Sequence, residues 1–169
     1  MISLMHYINI KMMIGYMNKK ILILVLILLF SGCSNNQIKH ISNRLNLNLD
    51  SCKIIEYNDT HGGFLGDGTY FAKLECASID TKNFKELPLS EEIQKILDVE
   101  WCDSTGCYNF YKKNNIPKIK NGYYYFYYRH SDSTNHFDDK DLNNRSSWNF
   151  TIAIYDLDTK VIYFYELDT

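Results

Sequence analysis

The sequence predicts an α+β fold: a single small domain with an antiparallel sheet of about five strands and one covering helix. Two observations indicate the sheet. Residues 148–167 form two alternating runs around the turn "DLDT", and residues 52–57, 69–77 and 122–130 are short runs rich in β-branched and aromatic side chains. A third observation, one amphipathic pattern at residues 89–97, indicates the helix.

The connection between the first two predicted strands is long and rich in glycine. "CKIIEY" (52–57) and "TYFAKLECA" (69–77) bracket "NDTHGGFLGDG", which holds four glycines and two aspartates. This composition is typical of a turn-rich hairpin connection. We therefore expect the two strands to pair with each other in antiparallel orientation.

The single helix is predicted in "LSEEIQKIL" (89–97). Ser90 stands at the N-cap position, and Glu91 and Glu92 fall in the first turn, where negative charge is favourable. Three aliphatic side chains then share one face: Ile93, Ile96 and Leu97. This pattern is typical of a short amphipathic helix that covers one face of a sheet.

The run "GYYYFYYRH" (122–130) predicts a strand that is aromatic on both faces. A central strand of a small sheet must fill space on both sides, so we expect these rings in the core. Exposed tyrosines that stack on a sugar or on a partner protein are the alternative. The last element, residues 148–167, alternates, turns at "DLDT" and alternates back, which is typical of a β-hairpin.

The segment before the domain has the features of a secretion signal. Residues 17–20 form a short positive head, and residues 21–30 are an unbroken apolar run. A membrane-spanning helix needs about 20 apolar residues, so the run fits the core of a signal peptide. Small residues and a cysteine follow: Ser31, Gly32 and Cys33. This stretch resembles the lipobox of bacterial lipoproteins, although Phe30 stands where that family usually has an aliphatic residue.

The resemblance implies that the Cys33 thiol takes a diacylglycerol and that the signal peptide is cut just before Cys33. Cys33 then becomes the N-terminus and anchors the protein in the membrane, because two acyl chains give stable anchoring. An ordinary signal peptide, or an uncleaved anchor with an incidental cysteine, is the alternative. We therefore expect a lipoprotein at the cell membrane that faces outside the cytoplasm.

This assignment divides the chain into four segments. Residues 1–16 show no signal-like order of charge and apolarity, so we interpret them as a spurious extension upstream of a true start at Met17. Residues 17–32 are the lipoprotein signal peptide. Residues 33–51 are a polar tether rich in asparagine, in which a short helix around residues 41–47 is the one regular element that we consider, and residues 52–169 are the α+β domain.

The charge distribution excludes one class of partner. All 20 Asp and Glu residues lie at or after Asp50, while three of the 18 Lys and Arg residues precede Cys33. The domain is therefore mildly acidic and has no electrostatic reason to bind nucleic acid. The expected partners are the membrane, through the anchor at Cys33, and an envelope protein or cell-wall ligand.

The loop "DTHGGFLGDG" (59–68) is the leading candidate for a binding site. It lacks the lysine and the spacing of a phosphate-binding P-loop, but its polar side chains can converge, and glycine lets the backbone approach a ligand closely. The candidate ligand-binding residues are Asp59, His61, Gly62, Gly63, Asp67 and Arg129. A long hairpin loop whose polar groups only satisfy the turn explains the same composition.

A second polar stretch, "RHSDSTNHFDDKD" (129–141), has metal-capable side chains at His130, Asp132, His136, Asp138 and Asp139. It has neither the HExxH pattern nor the glycine and terminal glutamate of a calcium loop, so we predict no metal and no cofactor. An envelope hydrolase or metal-dependent enzyme is the alternative function, with three catalytic candidates: His61, Asp67 and His130. No activated serine or cysteine motif accompanies them, which favours a protein that is not an enzyme.

Four cysteines remain after the anchor. Outside the cytoplasm an even number of cysteines is read as potential disulfides. Cys52 and Cys76 lie on the two strands of the first hairpin, and Cys102 and Cys107 flank the turn "DSTG". We favour the pairings Cys52–Cys76 and Cys102–Cys107, with buried free thiols as the alternative.

The region after Cys33 resembles a group of small bacterial lipoproteins for which no activity is known. The likeness rests on "DTHGGFLGDG", "IPKIKNGYYYF" with "RHSD" after it, and the closing "YDLDTKVIYFYELDT". It implies an envelope location and transfers no catalytic residue. The predicted function is therefore that of a lipid-anchored, extracytoplasmic binding or interaction module.

Overall fold

The computed structural model describes residues 36–62, 67–103, 106–129, 135–145 and 147–169. The chain divides into two compact units, Met1–Lys39 and His40–Thr169. The predicted signal peptide and Cys33 lie outside the described residues. Within the described part of the chain, no helix is long and apolar enough to cross a membrane.

The unit His40–Thr169 is built on one antiparallel sheet with helices on its faces. Residues 36–45 are helical and are called α1. The remaining elements, in chain order, are β1 Lys53–Asp59, β2 Gly68–Glu75, β3 Lys85–Glu86, α2 Glu91–Asp98, β4 Trp101–Asp103, β5 Gly106–Tyr108, α3 Phe110–Lys113, β6 Gly122–Tyr128, a 3-10 turn Leu142–Asn144, β7 Phe150–Asp156 and β8 Val161–Asp168.

Six strands form the main sheet in the order β1-β2-β8-β7-β6-β3, and β4 pairs with β5 in a separate ribbon. The α+β class and the antiparallel sheet are as predicted, but the predicted count of about five strands and one helix is wrong. The additional strand β3 has two residues, which is too short to show any period in the sequence. The helix α3 has four, and its N-cap Asn109 accepts a hydrogen bond from the Lys112 amide.

We call the face of the sheet that α2 covers the first face, and it carries the main hydrophobic cluster. Helix α2 packs there through its predicted apolar face, with Ile93, Ile96 and Leu97 each 1% exposed. Ser90 caps the helix as expected, since its hydroxyl accepts a hydrogen bond from the Ile93 amide at 3.3 Å. The helix predicted at residues 89–97 is therefore confirmed, and its observed start and end lie two residues and one residue later in the chain.

The second face of the sheet is covered from an unexpected place, the segment before β1. Ile41, Leu45 and Leu49 are fully buried, although the sequence analysis placed them in a polar tether that ended at residue 51. The compact unit begins at His40. The helix at residues 36–45 overlaps the short helix considered around residues 41–47, but its burial against the sheet was not expected, because asparagine dominates the composition of this segment.

The tyrosine-rich strand β6 lies in the core, as the first of the two interpretations predicted. Tyr124, Tyr125, Phe126 and Tyr128 are at most 5% exposed, because helices cover both faces of the sheet. The neighbouring hairpin of β7 and β8 is also as predicted. Its turn closes through a hydrogen bond from the Lys160 amide to the Asp156 carbonyl at 2.9 Å.

Both favoured cysteine pairs lie at disulfide distance. The Sγ atoms of Cys52 and Cys76 are 2.11 Å apart, and those of Cys102 and Cys107 are 2.05 Å apart. The first pair joins the residue before β1 to the residue after β2, where Lys53 and Glu75 are already register partners. The second pair stands across the ribbon of β4 and β5.

Candidate functional site

The base of the glycine-rich loop is fixed by one histidine between two carboxylates. The Nδ1 atom of His61 lies 2.8 Å from Oδ1 of Asp59, and its Nε2 atom lies 3.0 Å from Oδ2 of Asp168. The His61 amide also donates to Asp59 Oδ1 at 3.0 Å. We call Asp59, His61 and Asp168 the His61 clamp. The clamp joins the end of β1 to the end of β8, so the start of the loop is held to the sheet.

Backbone contacts close the two ends of the loop on each other. The Thr60 amide donates to the Thr69 carbonyl and the Thr69 amide donates to the Thr60 hydroxyl, each at 2.8 Å. Gly68 has a φ of +158°, and a Cβ atom there would lie 2.6 Å from the His61 Cα. Glycine is therefore required at this position so that the returning strand can pass close to His61.

Arg129, at the end of β6, extends the clamp across the sheet. Its Nη2 atom donates to Asp168 Oδ1 at 2.5 Å and to the Leu167 carbonyl at 3.1 Å. Its Nη1 atom donates to Glu166 Oε1 at 2.8 Å and to the Thr151 hydroxyl at 2.5 Å. The Arg129 side chain is only 11% exposed, so its charge depends on these carboxylates for compensation.

Glu166, in β8, is a buried carboxylate with four donors around it. It is 3% exposed, and besides Arg129 it contacts His40 Nε2 at 2.6 Å, Arg44 Nε at 2.9 Å and the Thr151 hydroxyl at 3.1 Å. His40 and Arg44 are four residues apart in α1, so they lie on the same side of the helix. We call Glu166 and its four partners the Glu166 network. It fastens α1 to the second face of the sheet.

Strand register explains why these side chains meet. Glu166 is the register partner of Tyr70 in β2 and of Thr151 in β7, and Tyr70 is also the partner of Asp59. Register partners point to the same side of a sheet, and so do residues two apart along a strand. Asp59, Thr151, Glu166 and Asp168 therefore share the second face, the one that α1 covers.

The contact between His61 and Asp59 shifts the pKa values of both side chains toward their charged forms. Burial alone would lower the pKa of His61, but hydrogen bonds to Asp59 and Asp168 and the charges of both carboxylates outweigh burial and raise it. Burial would raise the pKa of Asp59, but hydrogen bonds from His61 and Tyr57 hold that pKa below its usual value. These opposite shifts favour the ion pair of a protonated His61 with an ionised Asp59.

Hydrogen bonds and neighbouring charges also favour the ionised form of Glu166. Burial opposes the charge of Glu166, but the hydrogen bond with His40 and the charges of Arg44, Arg129 and His40 lower its pKa. A buried carboxylate with this many donors is stable as an ion only while the donors stay in place. The network is therefore a structural link between α1 and the sheet.

The structure brings together three of the six residues predicted to bind a ligand. Asp59 and His61 are in direct contact, and Arg129 reaches them through Asp168. Gly62 and Asp67 are exposed, and no hydrogen bond joins Asp67 to His61 among the described residues. Gly63 and His130 lie outside the described part of the chain, and so does Asp132.

The residues considered for a metal site are dispersed where they are described. His136 stacks on Tyr127, with 4.8 Å between ring centroids. The Asp138 carboxylate accepts a hydrogen bond from the Lys140 amide at 3.3 Å. In the part of the chain that the structure describes, no group of three or more His, Cys, Asp or Glu residues could hold a metal ion.

The clamp is suited to holding a loop rather than to transferring protons. Both ring nitrogens of His61 already bind carboxylates, so the ring has no nitrogen left for a substrate unless one of these bonds breaks. The hydroxyl that precedes the ring in sequence, that of Thr60, accepts a hydrogen bond from the Thr69 amide at 2.8 Å.

Asp168 and Glu166 are the site residues that sequence reasoning missed. Their signal was present in the run "VIYFYELD", where Glu166 follows Ile162 and Phe164 at alternate positions. An acidic residue in register with buried apolar ones has to find compensating donors. That pattern indicates a buried ion network, although it does not identify the partners.

No protein-family model matches the chain, and no curated protein or solved structure is significantly similar to it. The function has to be inferred from the chemistry of the chain itself.

Proposed function

We propose that this protein is a lipid-anchored, extracytoplasmic lipoprotein and that its folded unit is a binding module of the cell envelope. The anchor is Cys33, at the end of the signal-like segment. The two cysteine pairs at disulfide distance support this location, because structural disulfides persist in oxidising compartments outside the cytoplasm.

The binding surface in this proposal is the loop between β1 and β2, together with the exposed edge of the His61 clamp. The observation that carries the proposal is the position of His61 between Asp59 and Asp168, which fixes the start of the loop to β8, a strand that is buried along almost its whole length. Binding residues occur most often on loops that a rigid scaffold presents. The partner is an envelope protein or a cell-wall component.

The anchor is tested by metabolic labelling. Cells that produce the full-length chain are fed an alkyne analogue of palmitate, and the chain is examined for label beside a Cys33→Ser variant. The proposal predicts label in the parent chain and none in the variant. Label that persists in Cys33→Ser, or a parent chain without label, contradicts the anchor.

The binding loop is tested by cross-linking and affinity capture of the tagged full-length chain from intact cells. The parent chain is compared with His61→Ala, and His136→Ala serves as a matched control because His136 is exposed and lies outside the clamp. We expect a specific partner that His136→Ala retains and His61→Ala loses. Equal capture by all three chains would remove the loop from the binding surface.

A further inference from the structure

A groove of about 650 Å³ lies on the first face of the sheet, away from the His61 clamp. Its floor contains Ile154 of β7, which is 2% exposed. Its sides come from residues 87–89 before α2, from α2 and α3, and from residues 116–120 before β6. The volume falls within the range of about 300–1,000 Å³ that is usual for small-molecule sites.

The sides of the groove are held in place by the fold. The Leu87 amide donates to the Gly122 carbonyl at 3.0 Å, which fixes residues 87–89 against β6. The Ile116 amide donates to the Tyr111 carbonyl, and the Leu157 amide donates to the Asn121 carbonyl, both at 3.0 Å. Residues 116–120 are therefore fixed at both ends, so the groove is formed before any ligand arrives.

The lining is aliphatic rather than aromatic. Partly buried leucine and isoleucine side chains pack against the core there: Leu87, Leu89 and Ile119. The one aromatic side chain is Tyr111, whose hydroxyl donates to Gln94 Oε1 at 3.2 Å, and Gln94 in turn donates to Asp98 at 3.0 Å. Burial raises the pKa of Tyr111 to about 12, so this hydroxyl stays protonated. A planar ligand would find little stacking surface, whereas a flexible aliphatic chain would fit.

The lining of the groove contains more basic than acidic side chains. Lys118 and Lys120 are exposed, and no ion pair forms on either of them within the described residues. Asp98, the acidic residue of the lining, accepts a hydrogen bond from the neutral amide of Gln94. The lining therefore carries two lysine ammonium groups against one carboxylate, beside an apolar floor.

We infer that this groove binds a single acyl chain that ends in a carboxylate, with the chain on the aliphatic floor and the carboxylate at Lys118 and Lys120. The inference does not depend on the binding loop, because no groove residue belongs to the His61 clamp.

The test is photo-cross-linking in intact cells that produce the full-length chain. The probe is a decanoic acid that carries a photoreactive diazirine and an alkyne tag, and a second probe has the same chain with a trimethylammonium end. Mass spectrometry of the labelled peptides locates the adduct. We expect the acid probe to label residues 87–89 or 116–120 and to be displaced by excess decanoate.

The charge requirement is tested with a Lys118→Gln/Lys120→Gln variant. An exposed lysine–carboxylate pair contributes about 1.4-fold to fivefold in affinity, so the double variant should lose between about twofold and 25-fold of the acid label. Lys53→Gln/Lys140→Gln is the matched control, since both lysines are exposed and lie outside the groove lining. Replacing both groove lysines by glutamate should transfer the preference to the trimethylammonium probe.

Three outcomes would overturn the inference. These are label outside the groove, equal labelling by the acid and trimethylammonium probes, or full labelling of Lys118→Gln/Lys120→Gln. Loss of the loop partner in the capture experiment would leave these results unchanged, so the two proposals fail separately.

Discussion

Replacing Glu166 with glutamine tests the Glu166 network most sharply. The substitution keeps the shape of the side chain and removes its charge. The amide oxygen can still accept a hydrogen bond, but the negative charge that faces Arg129 and Arg44 is gone. Both arginines lose the carboxylate charge that they contact at 2.8 and 2.9 Å in the native protein.

The magnitude follows from the burial of the two arginines. Removing one partner of a buried ion pair costs about 3–5 kcal/mol, but Arg129 retains Asp168 and the glutamine oxygen, which reduces its share. The Arg44 side chain is 45% exposed, so its pair contributes less than about 1 kcal/mol. We expect Glu166→Gln to lower the free energy of unfolding by about 2–3 kcal/mol.

The assay is equilibrium urea unfolding of residues 34–169, followed by fluorescence. Glu75→Gln is the control, because Glu75 is an exposed carboxylate on the neighbouring strand β2, and we expect no measurable shift in its midpoint. A loss below about 0.5 kcal/mol in Glu166→Gln would show that the network does not hold α1 to the sheet.

Three further outcomes are expected. The pKa of His61 is raised, so His61 contributes its full stabilisation below about pH 6.5 and loses it as the pH rises through that raised value. Urea unfolding at pH 6 and pH 9 measures this contribution as the difference in free energy of unfolding between the parent chain and His61→Gln, which should be larger at pH 6. Cys52 and Cys76 are 24 positions apart, so replacing both with alanine should lower the free energy of unfolding by about 3.5 kcal/mol relative to the parent chain, and this difference should vanish when both chains are unfolded under reducing conditions. A Cβ atom on Gly122 would collide with the Tyr155 carbonyl, so Gly122→Ala should lower the free energy of unfolding by at least about 2 kcal/mol. Thermal unfolding measures this loss, and an unchanged melting temperature would contradict the close approach of β6 and β7.

The secondary-structure elements that could be predicted are those in which the sequence holds a regular pattern of apolar and polar residues over several positions. The hairpin of β7 and β8 shows alternation on both sides of a turn, and α2 combines a cap, acidic first-turn residues and an apolar face. The elements that were missed are short or compositionally concealed. β3 has two residues and owes its existence to pairing with Tyr123 and Tyr124, which is a tertiary effect.

The candidate site was predictable only in part, for a related reason. Asp59 and His61 are two residues apart, so their contact is local and the loop composition indicates it. Asp168 is 107 positions from His61, and the two meet because β8 lies next to β2 in the sheet order. Nothing in a single sequence specifies that order. The groove is equally non-local, since it joins segments from β3 to β7.

The most direct test of the proposed function places a photoreactive amino acid at position 67 of the full-length chain in living cells. Asp67 is exposed and lies at the end of the loop, and position 80, another exposed aspartate, serves as the control site. We predict an adduct with one envelope partner from position 67, none from position 80, and a marked loss of the adduct when Asp168→Asn weakens the clamp. An adduct that forms equally from both positions, or that Asp168→Asn leaves unchanged, would contradict a binding loop held by His61.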